Sequence, residues 1–226
     1  MIRILDLFCG VGGVARGFQN FLLDNGIEFE YYAIDIDKRV LKAHKLLNPY
    51  SKTICRDAWS IDDKEFKEFD LIWASPPCET HSKSRFLNIN AKPTKPDMRL
   101  YNLIERLWSL NMPFIVENVE PYYRPPIKPI VKVGRHVLWS NLCIKPFKLN
   151  LQNFMDVKDD IHKLIKYHEI PFELSIKLLK ILKKKTRDAL RDMVHWRIAY
   201  NIAKQVIPQV IKGKLMPQTK LFVFSL

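Results

Sequence analysis

The sequence has 226 residues, of which 47% are hydrophobic, so its length suits one domain with a real core and a small appendage. Its formal net charge of +13, from 37 Lys and Arg against 24 Asp and Glu, favours a polyanionic partner such as nucleic acid over a lysine-rich surface without a partner. The absence of any run of 18 apolar residues argues against a membrane span, and four cysteines without CxxC spacing argue against a zinc ribbon or a disulfide framework.

The first predicted unit is a strand, a glycine-rich turn and a helix. Residues 1–8 form a strand-like run rather than a signal peptide, which together with the cysteine usage indicates a reduced, cytoplasmic protein. They lead into DLFCGVGG at residues 6–13, and residues 14–23 have helical spacing. Glycines let the backbone approach a ligand closely, and this order of elements opens nucleotide-binding α/β folds.

The second predicted strand, residues 30–36, ends beside two carboxylates. Asp35 stands where an acidic residue can bind both hydroxyls of a ribose, which suggests an adenosine-containing cofactor. Asp37 is placed to cap the next helix, residues 38–47. A short third strand then leads to Asp57, which is either an ordinary loop aspartate or an acceptor for an adenine amino group.

A strand at residues 71–74 carries the central motif of the sequence. It ends in two prolines, which fix two φ angles and present the sulfur of Cys78 at the carboxyl edge of the sheet, where α/β folds bind ligands. A buried structural cysteine is the alternative. Residues 113–119 predict a further strand, whose Glu117 is placed either for acid chemistry at the same edge or for a salt bridge.

The rest of the chain divides into one long loop, two helices and an inserted region. Residues 80–96 are polar, basic and aperiodic, as in a loop that closes over a substrate. Apolar stripes predict helices at 97–110 and 190–206. Residues 141–186 are basic, lack glycine and contain helical runs, so we interpret them as a small insertion. The other predicted elements are strands at 51–55, 130–139 and 220–226, and short helices at 62–68 and 175–182.

Four segments, found in one order, carry a family resemblance. They are DLFCGVGG (6–13), AIDID (33–37), SPPCETHS (75–82) and ENV (117–119). Together they resemble the cytosine-C5 methyltransferases, which act on DNA, over roughly residues 1–140 and 187–206. The resemblance implies an α/β fold with a Rossmann-like, S-adenosylmethionine-dependent sheet. It also implies a catalytic domain of residues 1–140 and 187–226 and a short, mainly helical target-recognition region at 141–186.

The resemblance also assigns the cofactor site. It implies S-adenosylmethionine against the glycine-rich turn, with Asp35 on the ribose and Asp57 near the adenine amino group. Ile36 stands where many members have a tryptophan on the adenine, and the last family motif is matched at residues 191–196. The cofactor-binding residues expected from the resemblance are Phe8, Cys9, Gly10, Val11, Gly12, Gly13, Asp35, Ile36, Asp57, Ala58, Pro77, Asp192 and Val194.

The family implies covalent catalysis on a flipped-out cytosine without a metal. The thiolate of Cys78 would add at C6 and make C5 the nucleophile for the methyl group. Glu117 would protonate N3, which requires a pKa raised by burial. Asn118 would hold the loop, and Arg135 would brace the base or a phosphate. The residues expected to contact DNA are Ser82, Lys83 and Arg85.

The expected activity is that of a DNA (cytosine-5)-methyltransferase on a short double-stranded site, as in restriction-modification, where a cognate endonuclease is the functional partner; whether one accompanies this chain stays open. Three alternatives remain. The first is a cytosine-C5 methyltransferase of RNA, as in the transfer-RNA branch of the family. The second methylates an exocyclic amine, although such enzymes carry [DNS]PP[YFW] where this chain has Cys78. The third is a regulator on a decayed fold, which the intact motifs disfavour.

Overall fold

The architecture is a single sheet between two layers of helices, and the computed structural model describes residues 1–83 and 95–213 of it. The strands are β1 (Ile2–Leu7), β2 (Phe29–Asp35), β3 (Ser51–Cys55), β4 (Leu71–Ala74), β5 (Phe114–Val119), β6 (Val131–Val133) and β7 (His136–Ser140). Across the described ranges they form a seven-stranded sheet in the order β3-β2-β1-β4-β5-β7-β6. The neighbouring strands from β3 to β5 in this order pair in parallel, whereas β7 pairs antiparallel with both β5 and β6. The carboxyl ends of β1, β2, β4 and β5 therefore meet at one edge of the sheet.

The helices follow the predicted alternation with strands. They are α1 (Gly13–Asp24), α2 (Lys38–Leu47), α3 (Asp63–Phe66), α4 (Arg99–Ser109), α5 (Ile161–Tyr167), α6 (Phe172–Leu182), α7 (Thr186–Asp192) and α8 (Trp196–Ile211). The predicted α/β class is confirmed by this alternation, and α2, β3 and β4 have the predicted bounds. Asp37 caps α2 by accepting a hydrogen bond from the Arg39 amide at 2.8 Å. None of the helices in the described ranges is long and apolar enough to cross a membrane.

Alternate residues of the strands feed two hydrophobic layers. Trp73 of β4 packs with α1 and α8 on one face, and Ile72 packs with α4 on the other. The helices α1 and α8 approach closely because Gly17 lacks a side chain: a Cβ there would lie 2.4 Å from the Trp196 carbonyl oxygen. The Tyr200 hydroxyl also donates to Asp24 at 2.9 Å, which fastens the last described helix to the first.

The helical segment after β7 packs against the sheet domain. Leu164, Leu178 and Leu190, from α5, α6 and α7, share a hydrophobic cluster with Val11 of the glycine-rich turn and Ala43 of α2. Lys185 also forms an ion pair with Asp37 at 2.5 Å. The segment predicted as an insertion, residues 141–186, therefore shares a hydrophobic cluster with the glycine-rich turn and with α2.

The structure contradicts two of the predicted elements, a strand and a helix. Residues 130–139 form a hairpin of β6 and β7 rather than one strand, because Gly134 adopts a φ of 60° at the turn between them. The helix predicted at 190–206 is broken between α7 and α8, where His195 caps α8 by accepting from the Arg197 amide at 3.2 Å. The strand predicted at 220–226 lies outside the described residues.

Candidate active site

A cavity of about 490 Å³ opens at the carboxyl ends of β1, β2, β4 and β5. The predicted residues that line it are Phe8, Cys9, Gly10, Val11, Gly13, Asp35, Ile36, Asp57, Ala58, Pro77, Cys78, Glu117, Asn118, Arg135, Asp192 and Val194. Gly12 does not line it. The topology therefore brings the predicted catalytic and cofactor residues to one place, because parallel strands deliver their ends to the same edge.

The glycine-rich turn is shaped by what packs behind it. Phe8 and Gly10 have φ angles of 57° and 52°, in the left-handed region that non-glycine residues rarely occupy. A Cβ on Gly13 would lie 1.9 Å from the Val194 carbonyl oxygen, and one on Gly12 would lie 2.1 Å from Asn48 Nδ2. Gly12 therefore contacts protein behind the turn rather than the cavity.

A buried histidine holds the turn from below. The His44 ring is fully buried, with Nδ1 3.1 Å from the Gly10 carbonyl oxygen and Nε2 2.9 Å from Ser51 Oγ. Gln19 Nε2 donates to the same Ser51 oxygen at 2.8 Å, so the serine hydroxyl can donate to Nε2 while Nδ1–H donates to Gly10. Burial lowers the pKa of His44 to about 4, so the ring is neutral near pH 7.

Two carboxylates lie at the strand ends beside this turn. Asp35 accepts hydrogen bonds from the Gly10 amide at 3.1 Å and the Asp37 amide at 2.9 Å, which fix the orientation of its side chain. Asp6 accepts from the Tyr31 hydroxyl at 2.9 Å through Oδ2, while its buried Oδ1 has no partner in the part of the chain that the structure describes. Burial raises the pKa of Asp6 to about 8.

The residues expected around the adenine form a partly apolar wall. Ile36 is 72% exposed, so a flat apolar group could cover it. Asp57 accepts from the Trp59 amide at 3.0 Å and so caps a short 3-10 helix. Trp59, which the sequence did not single out, lines the cavity and lies under the Arg99 guanidinium at 4.6 Å. An unpaired carboxylate oxygen, an oriented aspartate and exposed apolar surface fit the S-adenosylmethionine implied by the resemblance.

The loop that carries Cys78 is fixed on both sides of the sulfur. Asn118 Nδ2 donates to the Pro76 carbonyl at 2.9 Å, and the Cys78 carbonyl accepts from the His81 and Ser82 amides, each at 2.9 Å. Burial raises the pKa of the Cys78 thiol to about 12, and the charges of Asp192 and Glu117 add to the rise while Arg135 opposes it. The thiol is therefore protonated at neutral pH in the free protein.

Glu117 has a histidine partner that the sequence analysis did not identify. Its Oε1 lies 2.6 Å from His136 Nδ1, and both side chains are buried. Burial raises the pKa of Glu117, but the His136 ring outweighs this and holds the pKa below its usual value. The expected net increase in the pKa of Glu117 is therefore wrong for the free protein, because the sequence did not reveal the partner.

Arg135 lies in the turn between β6 and β7 and reaches into the helical segment. It donates to the Arg191 carbonyl at 2.7 Å, and its guanidinium lies 3.8 Å from the centre of the Phe154 ring. Asp192, at the end of α7, lines the cavity on the same side. The side chain expected to brace the substrate is thus also tied, through Phe154, to the segment expected to recognise the target.

Two of the expected DNA contacts, Ser82 and Lys83, do not line the cavity. Ser82 forms an isolated bridge with Pro121, and Lys83 makes an ion pair with Glu120 at 3.2 Å. Arg85 lies outside the described residues, as do residues 84–94 of the loop predicted at 80–96. The Thr80 hydroxyl accepts from the Asp97 amide at 3.0 Å, which joins the two described ends of that loop.

Sequence reasoning missed three residues that shape the site, namely His44, Trp59 and His136. The signal for Trp59 was its position two residues after Asp57, at the end of β3. A signal for His136 was present in its position next to Arg135. Nothing in the sequence distinguishes His44 from other apolar-face histidines of a helix.

Comparison with known proteins gives a family match and one curated relative of note. The family model described as C-5 cytosine-specific DNA methylase matches residues 2–129. The type II methyltransferase M.NlaX of Neisseria lactamica is 30% identical over 124 residues, which are 53% of this chain and 37% of that protein. The chain thus spans little more than a third of the length of this relative.

Solved structures resemble nearly the whole chain in fold. The Entamoeba histolytica methyltransferase EhMeth matches with a TM-score of 0.57 at 12% identity, over 93% of this chain and 99% of that one. A Spodoptera frugiperda DNMT2 mutant matches with a TM-score of 0.54 at 14% identity, over 92% and 100%. At these identities the likeness concerns the fold.

Proposed function

Because the chain belongs to the C-5 cytosine-specific DNA methylase family, we propose that it transfers a methyl group to C5 of cytosine in double-stranded DNA. The observation that carries this proposal is the meeting of Cys78 and Glu117 in one cavity with the glycine-rich turn. A nucleophile, an acid and a cofactor cradle side by side are the groups that covalent methyl transfer to this carbon requires.

The proposed methyl donor is S-adenosylmethionine, which when bound supplies an electrophilic methyl group. Asp35 would accept hydrogen bonds from the ribose hydroxyls, and Ile36 would cover the adenine. The unpaired Oδ1 of Asp6 would accept from the ammonium group of the methionine moiety. Val194, which contacts Gly13, would close the far wall.

The proposed reaction uses the two side chains in turn. The Cys78 thiolate forms a bond to C6, the electrons of the C5–C6 double bond shift toward N3, and N3 takes a proton from Glu117. C5 then bonds to the methyl carbon as the methyl–sulfur bond breaks. A base removes the proton from C5, the S–C6 bond breaks with Cys78 leaving as a thiolate, and N3 returns its proton to Glu117.

This sequence of steps needs a Cys78 thiolate and a protonated Glu117, and the free protein favours neither of them. Binding of the base beside Glu117 would have to bring the proton that passes to N3. The thiol pKa of about 12 reflects burial next to carboxylates, with Arg135 as the nearby counter-charge. We expect the positive charge of the bound donor to lower that pKa, because an adjacent cation stabilises a thiolate. The Cys78 thiolate would then form only after the donor has bound.

The helical segment 141–186 is the proposed target-recognition region, and residues 1–140 with 187–226 are the proposed catalytic domain. The segment is basic, its α6 packs on α7, and its Phe154 lies under the guanidinium of Arg135, which lines the cavity. Contacts between its lysines and phosphates would release counterions, so DNA affinity should fall with salt with a slope of about −0.9 per neutralised phosphate on a log–log plot.

The test traps the covalent adduct. Duplexes of mixed sequence, made with 5-fluorocytosine in place of cytosine, are incubated with the full chain and S-adenosylmethionine. Fluorine cannot leave C5 as a cation, so the thioether to C6 should persist through denaturation. We expect a shifted band with the wild-type chain and none with Cys78→Ser, whose turnover on ordinary DNA should fall by at least about 10⁴-fold, as on loss of other catalytic nucleophiles.

Parallel arms decide between the substrates. An adduct on 5-fluorocytosine RNA but not on DNA would transfer the proposal to RNA, which the same residues could serve. Methyl incorporation into ordinary DNA that survives Cys78→Ser would instead indicate attack by an exocyclic amine. If neither DNA nor RNA gave an adduct or incorporated methyl groups, the proposed function would be overturned.

A further inference from the structure

Glu117 and His136 form a buried acid–imidazole pair at the base end of the cavity. The Oε1–Nδ1 distance is 2.6 Å, and the two side chains are only 8% and 6% exposed. The pairing follows from the sheet: Glu117 lies opposite Leu138, and His136 is the diagonal neighbour two residues along β7. Because alternate residues of a strand share a face, the register alone brings the ring to the carboxylate.

The other ring nitrogen of His136 is at the cavity side. His136 lines the cavity, and its Nε2 has no hydrogen-bond partner among residues 1–83 and 95–213. The ring is thus held at one nitrogen by Glu117.

Neighbouring groups add to the effect of the histidine without replacing it: Ser75 donates a hydrogen bond to Glu117, and the charge of Arg135 also lowers the pKa of the carboxyl, but both effects are smaller than those of His136. Arg135 is the nearest cation by sequence, but its guanidinium is engaged with the Arg191 carbonyl and the Phe154 ring. The groups that face the pair or its cation from the surrounding elements are Ser75, Cys78, Glu79, Arg135, Tyr167 and Asp192. The carboxylates in this set carry negative charge, so they do not stabilise an ionised Glu117.

We infer that His136 is a positioning residue that makes Glu117 a stronger acid toward N3 of the cytosine. The inference rests on the proposed function. His136 fixes Oε1 and Ser75 also bonds to the carboxyl, so the group is oriented, and Oε2 would meet the base. When the S–C6 bond forms and the Oε2 proton passes to N3, Glu117 becomes a carboxylate, and the Nδ1–H of His136 stabilises that charge. On elimination the proton returns from N3 to Oε2, so the pair ends with the protons it started with.

Two substitutions separate the ring's hydrogen bond from its charge. In His136→Asn the side-chain amide takes the place of Nδ1 and still donates to Glu117, but it cannot carry a positive charge. In His136→Phe both are lost. We expect kcat to fall by about 10- to 150-fold in the Phe variant, the value of a charge-assisted hydrogen bond, and by less in the Asn variant, with KM for DNA and S-adenosylmethionine unchanged.

The diagnostic readout is the pH profile of kcat. Without the His136 ring beside it, the buried Glu117 should hold its proton to higher pH even though Arg135 remains, so the descending limb should move upward by about one pH unit or more in both variants. Lys132→Gln, which removes an exposed positive charge from the neighbouring strand β6, should keep the wild-type limb. Thermal melting and donor affinity report whether each variant is folded.

A second measurement needs no turnover. Nuclear magnetic resonance of the His136 ring in the wild-type chain and in Glu117→Gln reports the Nδ1–H proton, which should lie downfield in the wild type and move upfield when its acceptor is no longer a carboxylate. An active wild type together with an unchanged limb in His136→Asn, or an unchanged Nδ1–H signal in Glu117→Gln, overturns the inference alone. A wild type that traps no adduct on DNA or RNA overturns the proposed function, and with it the role toward N3.

Discussion

His44 and His136 are both buried beside the same cavity, yet they do different work. His44, at the cofactor end, bonds only to uncharged groups, the Gly10 carbonyl and the Ser51 hydroxyl. His136, at the base end, bonds to the carboxylate of Glu117. The first ring is kept neutral by burial and holds backbone in shape, whereas the second is coupled to an acid.

The difference teaches that this cavity has a rigid end and a titrating end. The rigid end is set by glycines, strained φ angles and a neutral ring, which fix where a ligand fits. At the titrating end the charge of Glu117 helps to raise the pKa of the Cys78 thiol, and the His136 ring lowers the pKa of Glu117. Changes at the first end should alter stability and cofactor affinity, and changes at the second should alter the pH at which chemistry occurs.

Lowering the pH should destabilise the rigid end of the cavity, and this is the largest effect that we expect on the free energy of unfolding. The folded pKa of His44, about 4, lies below its unfolded value near 6.5, so the unfolded chain binds more protons between these values. Stability is therefore fully present above pH 6.5 and is lost as the pH falls toward 4, by about 1.4 kcal/mol per unit for this one ring.

Urea unfolding between pH 7.5 and 4.5 measures this loss. The lowered pKa of His168, about 3, adds a second proton of the same sign, and the raised pKa of Asp6, about 8, opposes it with one of the opposite sign. The contribution of His44 is therefore measured as the difference in slope between the wild type and a variant. His44→Gln should lose one proton from the wild-type slope. An identical slope in the variant would show that His44 is not the group that binds the proton on unfolding.

Gly13→Ala should damage the cofactor end more than Gly10→Ala. A Cβ on Gly13 meets a backbone oxygen at 1.9 Å, so we expect a loss of about 3 kcal/mol in the free energy of unfolding, together with weaker donor binding. A Cβ on Gly10 meets nothing within 4 Å, so Gly10→Ala should lose only about 1–2 kcal/mol from its positive φ. Chemical unfolding and calorimetric titration test the order, and equal losses would contradict it.

Asp35→Ala should weaken the cofactor end while leaving the base end unchanged. Loss of hydrogen bonds to a charged acceptor is expected to raise the Kd for S-adenosylmethionine by about 10- to 150-fold. The alkylation rate of Cys78 in the donor-free protein should not change, because Asp35 is not among the charges that shift its thiol. Donor affinity that is unaltered in the variant would remove Asp35 from the proposed ribose site.

Asp192→Asn should have the smallest effect, confined to the titrating end. Because the charge of Asp192 raises the pKa of the Cys78 thiol, removing it should increase the thiolate fraction. We expect iodoacetamide to modify Cys78 roughly 1.5- to 5-fold faster at pH 8, as for loss of a weak, partly solvated charge interaction. Peptide mass spectrometry separates Cys78 from the exposed Cys55 and Cys143, and a slower reaction would contradict the prediction.

The parts of the fold that could be predicted are those that depend on neighbouring residues in the sequence. The strand β4 and the helix α2 were placed correctly because an apolar run ends in Pro-Pro in one case and an Asp cap opens the other. Residues 130–139 were misread because one glycine in an apolar run is compatible with either a strand or a turn. The pairing of β6 with β7 decided between them.

The candidate site divides in the same way. Cys78 and Glu117 were found because each follows a buried strand, and parallel strands bring such ends together. The partner of Glu117 was not found, because it depends on the register of an antiparallel pair, which no local pattern specifies. The lowered pKa of the glutamate follows from that contact, so it could not be predicted without it.

The close packing of α1 against α8 has a consequence for how the chain is made. Tyr200 and Asp24, which bond across these helices, are 176 residues apart in sequence. The helix α1 can pack on the strands of the sheet early, but the side of it that meets α8 has no partner until almost all of the described chain has left the ribosome. Such long-range closure slows folding and exposes apolar surface meanwhile, so packing of α1 against α8 should be among the last events of synthesis.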